Sequence, residues 1–272
     1  MKANELYLRE DFRDAWQGKD PFACAQAIEG KVYRALENRR TLRFEFNGQA
    51  FFIKMHKGLA WPEIVKNLVQ LRLPVASARN EWLALARLRE LGIDAPTVVA
   101  YGNRGRLPAT VESFLVTEDL GKVESLEDIC QSWPAQPPAF AFKFALLQKV
   151  AWISQTLHAH GICHRDLYIC HFLLRQDSGP GRFTLFLIDL HRALIKNNLG
   201  RRWVIKDVGS LYFSALAIGL SSRDRLRFIR WYSGKGLRQC LTEDRKFWLG
   251  VETRARRIAA RESDKAKRQR AM

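Results

Sequence analysis

No stretch of this sequence offers the roughly 18 consecutive apolar residues that a helix needs to cross a bilayer. The best mixed stretch, around Phe213 to Leu220, falls well short. The opening residues, MKANELYLREDFRDAW, mix both signs of charge and lack the apolar core of an export signal, so a cytoplasmic chain is expected. Cysteine is scarce. Cys24, Cys130, Cys163, Cys170 and Cys240 are odd in number and scattered, which is poor material for a disulfide framework and suits a reducing compartment where they act as small packing residues. No internal repeat is visible, and no nucleic-acid motif such as an aromatic stacking signature. Acidic residues are also in deficit: 28 against 45 lysines and arginines leave a net charge of +17. Such an excess attracts polyanions, among them nucleic acid, anionic lipid headgroups and phosphorylated glycans.

With 47% apolar residues among 272, the chain can bury one large core or two smaller ones. After a helical opening, residues 31–55 partly alternate in polarity, and Asn47-Gly48 between two such runs predicts a hairpin. From Trp61 to Leu91 the pattern is helical, with Trp82, Leu85, Leu88 and Leu91 three apart and Gly92 as a stop. PTVVAYG and SFLVTEDL read as short strands, and residues 119–138 as a connector. FAFKFALLQKVAWISQTLHAHG is a long helix closed by Gly161, FTLFLID is a buried strand ending on Asp189, and residues 207–219 and 223–232 read as further helices. A strand-rich N-terminal lobe, 1–118, thus precedes a helix-rich lobe, 119–272, in an α+β chain.

Chemistry concentrates in HGICHRDLYICHFLL, residues 160–174. Its histidines and cysteines suggest zinc, but they lack the paired Cys-x-x-Cys spacing of structural sites. The long helix, then His164-Arg165-Asp166 on a loop, then a strand delivering Asp189, resembles the protein-kinase-like fold. In that fold the loop aspartate takes the proton of the acceptor hydroxyl, and the second aspartate holds magnesium under the ATP phosphates. The resemblance makes Lys54, in FFIKM, the lysine on the nonterminal phosphates, Glu81, in RNEW, its partner, and Asp207 a brace for the catalytic loop. It also puts Glu118 and Leu120, at the end of SFLVTEDL, at the bound nucleotide. Two positions depart from the pattern. His171 stands where an asparagine usually gives a second metal contact, and Leu190-His191 follow Asp189 in place of phenylalanine and glycine. A glycine-rich phosphate loop is missing, and LENRRT takes its place, so Arg39 or Arg40 is expected to supply guanidinium contacts there.

EIVKNL, LPVASARNEW, HRDLYICHFLL and IDLHRA together are similar to the lipopolysaccharide core heptose kinases of Gram-negative bacteria, over nearly the whole chain. That resemblance implies ATP-dependent phosphorylation of the first inner-core heptose, commonly at its 4-hydroxyl. It implies ATP and Mg2+ as cofactors, core–lipid A as acceptor, and acyl carrier protein as a further partner. Two other readings stand beside it, a kinase acting on a different acceptor and a noncatalytic basic module that binds nucleic acid. The tail from Val251 sets Arg254, Arg257, Arg261, Lys265 and Arg268 on one helical face. This predicts either a solvated helix or peripheral, salt-sensitive contact with the anionic inner face of the inner membrane.

Overall fold

The structure, a computed structural model, describes residues 4–36, 38–58, 77–105, 107, 109–177 and 182–270. The first part of the helix expected from Trp61, together with EIVKNL and the start of LPVASARNEW, lies outside the described residues. The chain divides into two compact units, one of Met1–Glu90, Ala95–Gly121 and Asp189–Arg192, the other of Leu91–Asp94, Lys122–Ile188 and Ala193–Met272.

The first unit is built on a six-stranded antiparallel sheet of β1 (Asn4–Leu8), β2 (Lys31–Leu36), β3 (Arg39–Phe46), β4 (Gln49–His56), β5 (Val98–Arg104) and β6 (Glu112–Glu118), in the order β1-β5-β6-β4-β3-β2. The opening is therefore a strand before it is a helix. Asn4–Leu8 finds a partner in β5, and that pairing overrides its mixed local pattern. The Asn47-Gly48 hairpin forms as expected: both residues have positive φ, 50° and 74°, and Phe46 pairs with Gln49. Alternation along the strands gives the sheet two characters. Leu42, Phe44, Phe51, Ile53, Phe114 and Val116 point to one face, where α1 (Glu10–Ala15) and α2 (Pro21–Ala27) bury them with Phe12 and Ala25. Each large side chain so buried contributes about 1.5–3 kcal/mol. Thr41, Lys54, Leu115 and Tyr101 form a cross-strand row on the opposite face.

That second face carries α3 (Arg79–Glu90). Trp82 stacks on Tyr101 with ring centroids 4.2 Å apart, the Ala78 N–H donates to Ser113 Oγ, and Arg79 makes a bidentate pair with Glu5, which also accepts from Tyr101 Oη at 2.8 Å. The 3-10 turn Leu190–Arg192 packs against the same helix, with Leu190 fully buried.

The second unit contains short β7 (Glu124–Ser125), β9 (Phe172–Gln176) and β10 (Phe183–Leu187) in one sheet, β8 (Ile162–Cys163) paired with β11 (Leu194–Ile195), and six helices among its described residues. These are α4 (Leu126–Gln131), α5 (Phe140–Ala159), α6 (Arg201–Ser214), α7 (Ser222–Ser233), α8 (Leu237–Thr242) and α9 (Arg245–Arg270). The expected connector over 119–138 thus contains a helix, started by Ser125, whose side chain caps the Asp128 N–H. Gly161 closes α5 at φ 75°, where a Cβ would lie 1.8 Å from the Lys196 carbonyl oxygen. Helix α9 packs on α6 through Val208, Phe247 and Val251, and its last turns are exposed. Between the helices lies an apolar cavity of about 450 Å3, lined by Leu146, Val150, Leu211, Phe228, Leu241 and Trp248 among others. No helix among the described residues is long and apolar enough to cross a membrane.

Candidate active site

In the first unit, strand alternation aims Lys54 away from the aromatic core and toward α3, where Glu81 Oε1 meets its Nζ at 2.5 Å. Glu81 is 4% exposed, and its Oε2 is buried without a hydrogen-bond partner among the described residues. Removing either partner would strand a charge out of water, a loss far larger than that of a surface pair. The same unit holds Asp189 in the left-handed region, at φ 64°. For a residue with a Cβ that conformation is unfavourable and persists only where its surroundings enforce it. Here the buried Leu190 anchors one side, and His191 Nδ1 donates to Asp189 Oδ1 at 2.5 Å.

In the second unit the loop after β8 hangs on one buried carboxylate. Asp207, fully buried on α6, accepts from the backbone N–H groups of His164 at 2.6 Å and Arg165 at 2.8 Å. Arg165 is left-handed as well, at φ 72°. Burial alone would push the Asp207 carboxyl up, but hydrogen bonding and charge from His158, with further help from His164 and Cys163, outweigh it and hold the group below its ordinary range. His158 is itself fixed, with Nε2 3.4 Å from Asp207 Oδ2 and Nδ1 2.7 Å from Tyr232 Oη. His164 donates through Nε2 to the carbonyl of Ile188 at 2.9 Å, and so braces the residue just before Asp189. Its ring stacks on that of His171, with centroids 5.5 Å apart. Ser214 Oγ accepts from the Ile169 N–H at 3.0 Å. Asp166 is thus presented, half-buried, on a loop held from several sides.

Of the two residues expected to hold a metal, His171 lies in the second unit and Asp189 in the first. His171 Nδ1 lies 2.7 Å from the Asp166 carbonyl oxygen. A carbonyl can only accept, so Nδ1 is the donor in this contact. Asp189 offers carboxylate oxygen. Among the described residues no group of three or more His, Cys, Asp or Glu side chains is placed to hold a metal. Cys163 and Cys130 are buried packing residues, and burial pushes both thiols up, Cys130 to about 12.

The remaining expected residues divide. Arg39 pairs with His56 in the β3–β4 register, two positions from the Thr41–Lys54 pair, and so shares the Lys54 face, with its Nε buried and lacking a hydrogen-bond partner among the described residues. Arg40 is exposed and points to the other face, so it does not accompany Lys54. The Glu118 carboxylate is taken by Arg9 at 2.5 Å and its N–H by the Thr97 carbonyl, leaving its own carbonyl as the group a ligand could meet, and Leu120 follows half-buried. The sequence carried no sign of the Tyr232–His158 support or of the two left-handed residues, and it showed His191 only as a departure from the expected pattern. Only coordinates reveal φ. A histidine two residues after Asp189 could have been read as its partner.

A model of the lipopolysaccharide kinase (Kdo/WaaP) family matches residues 24–232. Over 258 residues the chain is 46% identical to the lipopolysaccharide core heptose(I) kinase WaaP of Pseudomonas aeruginosa, covering 94% of this chain and 96% of that protein. It is 44% identical over 256 residues to the enzyme of the same name from Escherichia coli, covering 93% and 97%. A solved structure, WaaP in complex with acyl carrier protein, superposes with a TM-score of 0.81 at 42% identity, covering 93% of this chain and 99% of that one.

Proposed function

Since the chain belongs to the lipopolysaccharide kinase (Kdo/WaaP) family, we propose that it transfers the terminal phosphoryl group of ATP to heptose I of the lipopolysaccharide inner core, at the 4-hydroxyl. The observation that carries this reading is the loop held by Asp207, whose two backbone contacts present Asp166 beside the left-handed Arg165. Asp166 orients the heptose hydroxyl and takes its proton as the oxygen attacks the γ-phosphorus. The bond to the β-phosphate oxygen breaks, and ADP leaves. Charge spreads over the moving phosphoryl oxygens, so most of the acceleration comes from positioning and from cations aimed at that charge. Lys54, steadied by Glu81, donates to the nonterminal phosphates, with Arg39 beside it. The backbone at Glu118 and Leu120 meets the base. Asp189, with His171, would hold a magnesium ion that neutralises phosphate charge. In this reading the working lobes are residues 1–118 and 119–272.

The acceptor is core–lipid A, reached from the cytoplasmic side of the inner membrane, with the basic end of α9 contributing peripheral attraction to anionic headgroups. Acyl carrier protein, the partner of the structural relative, is a partner here too. The net charge of +17 and the apolar cavity of the second unit, large enough for an alkyl chain, support it. Nucleic acid is not expected as a partner.

Incubation with labelled ATP and unphosphorylated core lipopolysaccharide tests the reading. Label should enter the heptose with the parent protein. Asp166→Asn should slow transfer by about 10²- to 10⁴-fold, the usual contribution of a general base. Transfer to some other acceptor alone would refute the heptose assignment, and an active variant would remove Asp166 from its role. Phosphorus NMR of the product reads which hydroxyl is modified.

A further inference from the structure

Helix α3 is held to the sheet of the first unit by more than the pair between Glu81 and Lys54. That pair fixes one distance. It leaves open the rotation of the helix about its own axis, and with Cα atoms on a cylinder of about 2.3 Å radius a turn of about 30° would carry the Glu81 Cα roughly 1.2 Å away. A displacement of that size breaks a hydrogen bond made at 2.5 Å.

Two other side chains of the same helical turn supply what is missing. Arg79 lies two residues before Glu81, and its Nε and Nη2 meet the two carboxylate oxygens of Glu5 on β1 at 2.9 and 3.0 Å. A planar fork on a planar carboxylate sets an angle as well as a distance. Trp82, three residues after Arg79 and so its neighbour on the helix surface, lies flat on Tyr101 of β5 with ring planes 8° apart. The Tyr101 hydroxyl in turn donates to Glu5 Oε2 at 2.8 Å. Glu5, Arg79, Trp82 and Tyr101 thus form a closed circuit through two strands and one helical turn. Burial and the neighbouring Glu5 carboxylate push the Tyr101 phenol up, so it remains a donor near neutral pH. Tyr101 is also paired with Leu115, and Leu115 with Lys54, so the circuit shares a cross-strand row with the lysine. Apolar contacts would anchor the helix equally well, since burying the Glu5 carboxylate to 11% exposure carries a desolvation cost that such contacts avoid. What the charged circuit adds is a single allowed orientation.

We propose that Glu5, Arg79 and Tyr101 are positioning residues that set the rotation of α3 and hold Glu81 on Lys54, so that the opening strand governs the lysine assigned above to the ATP phosphates. The catalytic consequence rests on that reading, whereas the clamp itself is observable without nucleotide.

Glu5→Gln keeps the shape of the side chain and removes its charge. Two measurements on the full chain read the result. The ammonium signal of Lys54 in isotope-labelled protein, recorded by NMR without nucleotide, reports the contact with Glu81, and Glu81→Gln gives its unpaired position. Glu5→Gln should move the signal toward that position and raise KM for ATP about tenfold, the loss expected when a hydrogen bond to a charged group goes, with KM for core lipopolysaccharide unchanged. Arg79→Gln should do the same, and the double variant should be no worse than either alone, because both cut one link. Arg79→Lys, which keeps the charge but not the fork, should recover part of the loss. Tyr101→Phe keeps the stack and removes one hydrogen bond, so it should give a smaller shift in the same direction, and it decides the matter if Glu5→Gln does not fold. A parent-like Lys54 signal and KM for ATP in folded Glu5→Gln and Tyr101→Phe would overturn the clamp and leave the kinase reading standing. A shifted signal with KM for ATP intact would uphold the clamp and remove Lys54 from the phosphates. A parent that transfers no phosphate would refute the kinase reading, and the Lys54 signal would still decide the clamp.

Discussion

His56 stands two residues beyond Lys54 on the same strand face, 4% exposed, with Nε2 lacking a partner among the described residues. Burial, with added repulsion from Arg39, Lys54 and His191, drives its pKa from 6.5 to about 3. The folded protein keeps this ring neutral throughout that interval, whereas the unfolded chain protonates it below 6.5. Unfolding therefore takes up a proton, and stability falls as pH falls across the window, by up to about 1.4 kcal/mol per pH unit. His56→Gln should flatten the decline in melting temperature on acidification, and thermal melts across the window read the slope directly. His191 gives a second expectation. If it positions Asp189, His191→Ala should weaken binding of the manganese–nucleotide complex about tenfold, measured as free Mn2+ by electron paramagnetic resonance, while His191→Asn, which keeps a donor, should recover much of it. Lys54, Glu81, Asp166, Asp189 and Asp207 stand out in the sequence because their charges occur in a fixed order along the chain. His56 and His191 do not, because a lone histidine carries no pattern until burial and a neighbour give it one.

Elements show the same division. The Asn47-Gly48 hairpin and the helix ending at Gly161 were readable because left-handed turns leave few choices of residue. The bulge at Tyr33, the two-residue strands and the opening strand were hidden, since pairing with distant segments, and not local preference, decides them. The basic helix expected from Val251 begins earlier, at Arg245, because Phe247 belongs to the packing against α6. Helix α7 was readable over 223–232 but its anchor was not. Asp224 forms a capping box with Ser221, pairs with Lys143 of α5 at 2.9 Å, and bonds Arg227 at 3.0 Å. Burial alone would raise its carboxyl, yet the hydrogen bonds from Lys143 and Ser221 bring it down to about 2. Asp224→Ala leaves Lys143 without its partner and should cost about 3 kcal/mol, read from the shift in a urea midpoint. Gly161→Ala sets a left-handed conformation against a Cβ that meets the Lys196 carbonyl, and should cost about 2 kcal/mol or more.

Across the whole molecule the charge of +17 sets the range and salt dependence of encounters. Cosedimentation with vesicles rich in anionic lipid should be strong at low ionic strength and fade toward physiological salt, as the Debye length shrinks to about 8 Å. A chain ending before Arg261 should bind more weakly, and binding indifferent to both salt and truncation would rule out the peripheral contact. Sequence order also misleads about what can be cut apart. Asp189–Arg192 belongs with the first unit although both flanking segments belong to the second. A fragment ending at Gly121 keeps the lysine and the glutamate yet leaves hollow the socket that Leu190 fills against α3. Supplying the missing tetrapeptide in trans cannot restore it cheaply, because the covalent tether that made its return nearly free is gone. The unit is thus a spatial neighbourhood that must be inherited with the entire chain, and attempts to transplant its six-stranded sheet with α3 into another scaffold should carry a surrogate for that plug.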